Sequence, residues 1–527
     1  MYKVDEKTKP FWAEFSSAAG GRDPLAIQNS SVVIYSQMVV GITNVTNRIR
    51  YNGFFCWMFD TITRKVEKRN SLQEQIKYLR RSELLLAYIM VKNFSDTTGV
   101  SGSTYASNNI DEVIDLKKGA DWEFKQKGEK VYWQNPYGVF GQYYSGVARV
   151  LNLINHPSPQ QELNIYTVTE KGKELAEAFR EKISDEECSL FWESIYNGTV
   201  YGSDLIKLKT FALHLIDEGS KERTFYEKTI LNADDSKVEP TFNRRDTIYL
   251  LLKHLNENKE GVEYPVTSFL RDNYYACQSA IELKYNAATA WYLFEINEIL
   301  HVAYEHFHAS FLYYIEQYPT ILDNKLNNLI NETLEAFDAT GEYKSINSIS
   351  QLINLLEDSS DDIYESYNEM EDSYRSGEYG ECLMHAVNTI LHLYVNSRLQ
   401  IEQLKTFAEA PQYNFNRPGY AMELFDELVV YQMELNLRDY IKTILMKAIN
   451  THTFSSYSKT KIGQSMVHNY MIENQFVWRL RETTPTRTSP RLQNVLQYIM
   501  DIGWVESKNK ITSITDNGIK ILEGETA

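Results

Sequence analysis

The sequence predicts a mainly α fold with small β-wings. Apolar residues recur at helical spacing from Leu205 to Gln403, which indicates a long helical bundle or a solenoid-like middle. Near the C-terminus, a helix, a β-hairpin and a second helix follow one another, and a related pattern stands in the first third of the chain. We therefore expect two helix–hairpin–helix modules joined by the helical middle.

These patterns divide the chain into four predicted segments. The predicted segments are a basic and aromatic helical region at 1–80, a first module at 81–182, a helical middle at 183–435 and a C-terminal module at 436–527. A chain of 527 residues is too long for one hydrophobic core, so several domains are expected.

The C-terminal module begins with a helix that the sequence places after Ser489 and Pro490. Serine is favoured at the cap before a helix and proline at its first position. The apolar residues at helical spacing are Leu492, Val495, Leu496, Ile499 and Ile502. We expect the helix to end at Gly503, because glycine readily adopts the left-handed conformation that follows many helices.

A β-hairpin and a short helix complete this module. Trp504–Val505 and Ile511–Ile514 predict its two strands, with the polar tip Glu506–Lys510 between them. Thr515–Gly518 then caps a final amphipathic turn. Helix, hairpin and helix in this order correspond to the closing half of a winged helix.

The segment from roughly Gln475 to Leu522 resembles the PadR- and MarR-type winged-helix regulators. In those regulators, a recognition helix ends in a Leu-Gly-Trp/Leu-Val-like corner, and the second strand of the wing ends in Thr-x-x-Gly. Gly503, Trp504 and Thr515–Gly518 match these features. The resemblance implies a winged-helix fold, which can hold DNA or another protein.

A second copy of the pattern lies in the first third of the chain. Asn135 and Pro136 are expected to open a recognition helix within Tyr137–Ile154, and Ile165–Val168 to form a wing strand before the Thr-x-x-Gly motif of Thr169–Gly172. The helix is rich in glycine and tyrosine. This composition weakens a regular helix but suits a surface that packs against a backbone or stacks on bases.

Two elements are expected upstream of this second copy. Ser82–Phe94 predicts a first helix, and Ile110–Trp133 is long enough to hold an inserted pair of strands. Both modules follow basic segments, so we expect them to face one extended ligand.

The composition excludes several classes of protein. No apolar run approaches the roughly 20 residues of a membrane span, and the N-terminus is polar. The four cysteines stand far apart, which argues against a zinc finger and against a secreted disulfide framework. We therefore expect a cytoplasmic protein without a membrane partner.

Charge is distributed unevenly around a formal net charge of −17. Arg48–Arg81 holds nine Lys or Arg residues against three acids, and Arg438–Arg491 holds the same numbers. Glu357–Glu381, in contrast, holds ten acids and one Arg. Such a chain can bind a polyanion locally while repelling it elsewhere.

The predicted DNA-binding residues lie before and within the C-terminal winged helix and in the first basic segment. They are Arg479, Arg481, Arg487, Thr488, Ser489, Arg491, Lys508, Lys510, Arg48 and Arg50. A recognition helix meets phosphates and base edges near its start, where arginines and hydroxyls are suitable donors. The alternative for Arg479 and Arg481 is that they pair with acids of the same domain on a solvated face.

One stripe of metal-binding residue types occurs in the helical middle. Glu298, His301, Glu305 and His308 form two Glu-x-x-His units on one expected helix. Di-metal carboxylate sites take one such unit from each of two helices, so paired polar residues of a bundle are the favoured interpretation. The sequence therefore predicts no metal or other cofactor.

The favoured function is that of a non-catalytic, DNA-associated accessory or regulatory protein. Its expected partners are double-stranded DNA and protein subunits, and its layout resembles subunits of bacterial restriction or anti-phage systems. One alternative is a protein scaffold in a multisubunit complex. Another is a metal-dependent nuclease that uses the Glu/His stripe or the short pattern of Asp121, Glu123 and Lys125.

Overall fold

The computed structural model of the chain describes residues 23–66, 71–158, 164–231, 240–284, 286–341, 346–357, 362–459 and 467–524. Helices hold 64% of these described residues and strands 6%, in small antiparallel sheets. The predicted mainly α class with small β-sheets is therefore confirmed, while the winged-helix modules stay a prediction.

The helices are numbered in chain order. The first thirteen are α1 (Asn29–Met38), α2 (Tyr51–Lys65), α3 (Leu72–Asn93), α4 (Ser103–Asn108), α5 (Leu116–Ala120), α6 (Trp122–Gln126), α7 (Ser145–Val150), α8 (Glu170–Arg180), α9 (Asp185–Asn197), α10 (Asp204–Lys207), α11 (Lys221–Leu231), α12 (Pro240–Glu257) and α13 (Pro265–Gln278). The others are α14 (Ala287–Tyr314), α15 (Leu322–Thr340), α16 (Ile349–Glu357), α17 (Ile363–Ser376), α18 (Tyr379–Ser397), α19 (Ile401–Glu409), α20 (Ala421–Leu428), α21 (Leu437–Lys459), α22 (Leu492–Asp501) and α23 (Asp516–Leu522). Short π- or 3₁₀-helical turns occupy Phe140–Tyr144, Lys209–Phe211 and Val430–Gln432.

The strands of the described residues form four small antiparallel sheets. They are β1 (Val113–Asp115), β2 (Ile154–Asn155), β3 (Thr167–Val168), β4 (Thr199–Tyr201), β5 (Thr320–Ile321), β6 (Tyr470–Glu473), β7 (Phe476–Arg479), β8 (Val505–Lys508) and β9 (Ile511–Ile514). The pairings are β1 with β4, β2 with β3, β8 with β9, and a three-stranded sheet in the order β5, β7, β6.

The chain forms two compact units, each assembled from two separate stretches. Unit 1 comprises Met1–Ser36 and Leu270–Thr488, and unit 2 comprises Gln37–Phe269 and Ser489–Ala527. The two predicted helix–hairpin–helix modules both contribute to unit 2. The four-segment division at 1–80, 81–182, 183–435 and 436–527 stays a prediction, and residues 1–22 of its first segment lie outside the described residues.

Unit 1 is a helical bundle around α14. All but one of the residues from Ala287 to Leu312 are buried, as expected for a helix that is apolar around most of its circumference. α14 packs against α17, α18 and α21, and α18 also packs against α15 and α16. The expected helical bundle in the middle of the chain is thus present in this unit.

Unit 2 is built around α2, which packs against α3 and α8. One side of α2 carries Phe54, Phe55 and Trp57, all of them at most 2% exposed. Phe54 and Trp57 contact Phe179 of α8, with ring centroids 6.3 and 6.0 Å apart. The aromatic residues of this segment therefore form a core face.

The C-terminal module contains the predicted corner between helix and hairpin. Gly503 follows α22 in the left-handed region, at φ 72°, and Trp504 N–H donates back to Ile499 O at 2.9 Å. Thr515 Oγ1 donates to Trp504 O at 3.0 Å and accepts from Gly518 N–H at 3.2 Å. The threonine thus joins the first wing strand to the start of α23.

The first module repeats this corner bond for bond. Asn152 has φ 54°, and Leu153 N–H donates to Ala148 O at 2.8 Å. Thr169 Oγ1 donates to Leu153 O at 3.2 Å and accepts from Gly172 N–H at 3.0 Å. The Thr-x-x-Gly motifs therefore mark two copies of one local structure.

The region before the first corner differs from the prediction. Ile110–Trp133 holds one strand, β1, and the helices α5 and α6 in place of a strand pair. Asp115 caps α5 by accepting from the N–H groups of Lys117 and Lys118. The partner of β1 is β4, which stands far along the chain, so the insertion does not pair with itself.

The predicted helices of the first module also start elsewhere. The helix expected at Ser82–Phe94 is the longer α3, which Ser71 caps by accepting from Glu74 N–H at 3.2 Å. The helix expected within Tyr137–Ile154 is a π-helical turn followed by α7. Gly138 lies in the left-handed region at φ 70°, which excludes a regular helix from Tyr137.

The start of α22 was predicted at the wrong residue. Ser489 and Pro490 precede the helix, whose cap is Arg491 and whose first residue is Leu492. Arg491 has φ 62°, a left-handed conformation that a continuous helix from Pro490 could not contain.

We predict opposite effects for alanine at two glycines of the first module. A Cβ at Gly172 would collide with the backbone carbonyl of Leu153, so Gly172→Ala should lower the free energy of unfolding by about 1–3 kcal/mol. A Cβ at Gly146 in α7 would meet no atom within 4 Å, so Gly146→Ala should raise it by up to about 1 kcal/mol. Denaturant unfolding of both variants tests this, and equal midpoints would contradict the close approach.

Candidate functional site

The predicted DNA-binding lysines lie at the tip of the β8–β9 hairpin. Asn509 and Lys510 have φ 52° and 69°, the left-handed pair that a two-residue type I′ turn requires. The side chain of Lys508 is 75% exposed and lies 2.8 Å from a carboxylate oxygen of Glu506. Lys510 is also exposed, so both cations are accessible in unit 2.

The predicted recognition helix faces its own chain. Of the residues of α22, all described, Gln493 alone is exposed. Asn494 Nδ2 donates to Asn47 Oδ1 at 2.6 Å, and Arg491 Nη1 donates to Ile42 O at 3.1 Å. The polar groups at the start of α22 are therefore engaged within unit 2.

Asp501 fixes the other end of α22. Its carboxylate accepts from Arg48 Nη1 at 2.7 Å and from Ile49 N–H at 3.2 Å. Burial raises the pKa of Asp501 to about 6, although the charge and hydrogen bond of Arg48 oppose that rise. Arg48 is also bound to Asp96 at 2.9 Å and is 5% exposed, so its guanidinium is directed into unit 2.

Arg50 is buried more completely. Its Nε donates to Glu222 Oε1 at 3.0 Å, and its Nη2 donates to Glu222 Oε2 at 3.1 Å. Nη1 donates to the carbonyl oxygens of Thr210 and Ala212 at 2.8 and 2.5 Å. The guanidinium lies 4.8 Å from the ring centroid of Phe179. It therefore acts as an internal anchor.

The remaining predicted residues belong to unit 1, apart from the exposed Ser489 of unit 2. Arg487 forms an ion pair with the buried Glu295 of α14, and Thr488 N–H donates to Glu298. Arg479 lies 5.2 Å from the ring centroid of Tyr313 and 3.9 Å from Glu482.

Arg481 continues the same segment. It is half-buried, its N–H donates to Asn469 O at 3.1 Å, and burial lowers its pKa. The exposed members of the predicted set are therefore Ser489, Lys508 and Lys510. The internal partners Glu222, Glu295 and Asp501 are far from the arginines along the sequence, and no sequence signal pairs them.

The stripe of acids and histidines occupies one side of α14, as its spacing predicts. His301 Nδ1 lies 3.7 Å from Glu298 Oε1, and its Nε2 lies 2.6 Å from Gly419 O. Burial opposes ionisation of Glu298, but the hydrogen bond and charge of His301 prevail and lower its pKa. His301 is thus bound to a backbone carbonyl and a carboxylate.

The second half of the stripe has different surroundings. Glu305 accepts from Gln28 Nε2 at 3.2 Å, and burial together with the charges of Asp23 and Glu298 raises its pKa to about 8. The ring of His308 lies 4.4 Å from that of His452, and burial lowers its pKa well below the ordinary value. Within the described ranges, no three such side chains form a group that could hold a metal ion.

The aspartate of the short pattern that resembles a nuclease motif is also bound to a residue of its own chain. Asp121 is 5% exposed and accepts from Arg81 Nε and Nη2 at 2.7 and 2.6 Å. Glu123 and Lys125 lie on α6, the short helix that follows. Asp121 therefore forms a buried ion pair, which gives the nuclease interpretation no support.

Comparison of the chain with protein-family models, curated proteins and solved structures finds no match. The described helices include none with the length and apolar character needed to cross a membrane.

We predict that Arg50 stabilises unit 2 strongly. Arg50→Met leaves Glu222 buried without its cation, so the free energy of unfolding should fall by about 3–5 kcal/mol. The control is Arg64→Met, which removes an ion pair whose arginine side chain is 60% exposed and should cost no more than about 1 kcal/mol. Thermal unfolding of both variants measures the difference, and similar losses would refute the anchoring role.

Glu305 predicts a pH dependence of stability. Its folded pKa of about 8 lies above the ordinary 4.5, so the folded state binds the extra proton and stability falls as pH rises between these values. Buried histidines with lowered pKa values, such as His306, His308 and His452, contribute the opposite slope, because the unfolded chain still loses histidine protons above pH 6.5. The Glu305 contribution is therefore the difference in stability between the parent and Glu305→Gln, which should change by about 2 kcal/mol from pH 6.5 to 8.

Glu305→Gln should remove this dependence and raise the melting temperature more at pH 8 than at pH 6.5. Glu335→Gln, at an exposed position of α15, serves as the control. The measurement is the melting temperature of the two variants and the parent across that range. The same pH dependence in the parent and in Glu305→Gln would contradict the prediction.

Proposed function

We propose that the protein is a non-catalytic, DNA-associated accessory protein that contacts duplex DNA through the β8–β9 hairpin of unit 2. The observation that carries the proposal is the exposure of Lys508 and Lys510 at the tip of this hairpin. Lysines bind phosphates as point charges, and the predicted winged helix would present such a tip to the DNA backbone.

The inward orientation of α22 limits what this contact can recognise. Sequence is read by side chains that reach base edges in a groove, and α22 exposes Gln493 alone. Asn494 and Arg491, which could reach bases from a free helix, are bound to Asn47 and Ile42. The proposed binding therefore depends on phosphate contacts and carries no base preference.

The strength of this contact follows from its charges. Two phosphate contacts give a logarithmic salt slope of only about 1.8, and the formal net charge of −17 repels DNA elsewhere. Affinity of that order is too weak for independent recognition. It suits an accessory subunit whose partner protein also holds the DNA, as the resemblance to restriction and anti-phage subunits implies.

The test is charge reversal at the hairpin tip. Lys508→Glu with Lys510→Glu should weaken binding to a labelled duplex and reduce the salt slope by about 2, because each phosphate contact contributes about 0.9. The parent protein should bind duplexes of unrelated sequence equally. Fluorescence anisotropy over a range of salt concentrations measures both quantities.

The matched control reverses Lys127 and Lys130, which are exposed in the first module of unit 2. This control should retain the parent slope. Arg487→Glu is unsuitable as a test, because Arg487 is paired with Glu295 inside unit 1 and its reversal would destabilise the fold. A slope that is the same in the hairpin variant, the control and the parent would reject DNA contact by the hairpin.

A protein scaffold is the second candidate, and the burial of α22 favours it. Arg48 and Arg50 are bound to Asp501 and Glu222, so unit 2 uses them for internal packing. Absence of duplex binding by the parent protein at low salt would place the scaffold function ahead of the DNA-associated one.

A further inference from the structure

Unit 2 contains an open groove that the proposed DNA contact does not use. A loop containing Ser101 and Thr104 borders it on one side, Asn44 and Asn47 on another, and Trp133 and Tyr143 complete its lining. None of the described residues that line the groove is charged. Its lining combines partly exposed aromatic rings, amides and hydroxyls.

Two glycines allow the loop to lie close to the groove. Gly99 and Gly102 have φ 75° and 84°, in the left-handed region that favours glycine. A Cβ at Gly99 would lie 2.7 Å from that of Asn47, and one at Gly102 would lie 3.0 Å from the ring of Tyr132. Larger residues would therefore push the loop away from the groove.

The aromatic side of the groove is held rigidly. Tyr132, which also lines it, donates its hydroxyl hydrogen to the buried Glu83, and the guanidinium of Arg80 lies 5.1 Å from its ring centroid. Trp133 Nε1 donates to Gln142 Oε1 at 2.8 Å. The rings of Trp133 and Tyr143 meet at 78° with centroids 5.5 Å apart. These contacts hold the aromatic side chains of the lining in place.

The chemistry of the lining selects the ligand. Aromatic faces stack on flat rings, a carboxamide offers both a donor and an acceptor to a base edge, and hydroxyls bind a sugar. A phosphate would find no cation among the lining side chains. An uncharged molecule with a flat polar ring and a sugar therefore fits this groove better than a nucleotide.

We propose that the groove binds a nucleoside. The base stacks on Tyr143, the exposed amide of Asn44 contacts its polar edge, and the hydroxyl of Thr104 receives the ribose. The site is independent of the proposed DNA contact, because it shares no residue with the β8–β9 hairpin. Either proposal can fail without the other.

The test is calorimetric titration of the full chain with adenosine, guanosine, cytidine and uridine, and with their 5′-monophosphates. At least one nucleoside should bind with an affinity that does not change with salt. Its monophosphate should bind no more tightly. The proposal would be overturned if none of the four nucleosides bound, or if the neutral sugar maltose bound in their place. Tighter, salt-dependent binding of a monophosphate would also overturn it.

Variants with matched controls locate the site. Tyr143→Ala should weaken nucleoside binding by about tenfold, since stacking on one aromatic ring contributes that much affinity or more. Tyr137→Ala removes a tyrosine that is 46% exposed and does not line the groove, so it should bind like the parent. Asn44→Ala should alter the preference among the four bases, whereas Asn108→Ala, at an exposed position of α4, should not. Equal losses in Tyr143→Ala and Tyr137→Ala would place binding elsewhere.

Discussion

Two buried guanidinium groups determine how unit 2 is assembled. Removing an ion from water costs several kcal/mol unless geometry and additional hydrogen bonds compensate, and Arg48 and Arg50 are at most 5% exposed. Asp501 and Glu222 supply the compensating charges, and they stand far along the chain from the arginines. These ion pairs therefore hold α22 and α11 against the segment that begins α2.

Burial also opposes the charge of the acids along α14 in unit 1. Each of these acids has different partners. Glu295 has the cation of Arg487, and Glu298 has a nearby histidine. Glu305 has an amide partner and acidic neighbours but no cation among its described contacts, so its pKa rises to about 8. The buried polar residues of α14 thus form a line in which each acid has its own surroundings.

The features that could be predicted from sequence depend on contacts between near neighbours. The corners at Thr169 and Thr515, the hairpin β8–β9 and the single helix bearing Glu298 to His308 all follow from local spacing. The true start of α22 depends on a left-handed Arg491, which no propensity favours. The partners of the arginines are set by tertiary contacts. From the sequence alone, arginines that form buried ion pairs could therefore not be distinguished from arginines on an exposed surface.

The two modules show why a shared motif does not determine a shared function. Each corner is closed by a threonine and a glycine that hydrogen-bond within the module, so a short sequence specifies it wherever it occurs. The helix before each corner meets a different environment. α22 is covered by the segment that carries Arg48, whereas α7 and the turn before it leave Gln142, Tyr143 and Arg149 at least partly accessible. The surfaces left open by packing, rather than the motif, therefore determine which ligands each module can bind.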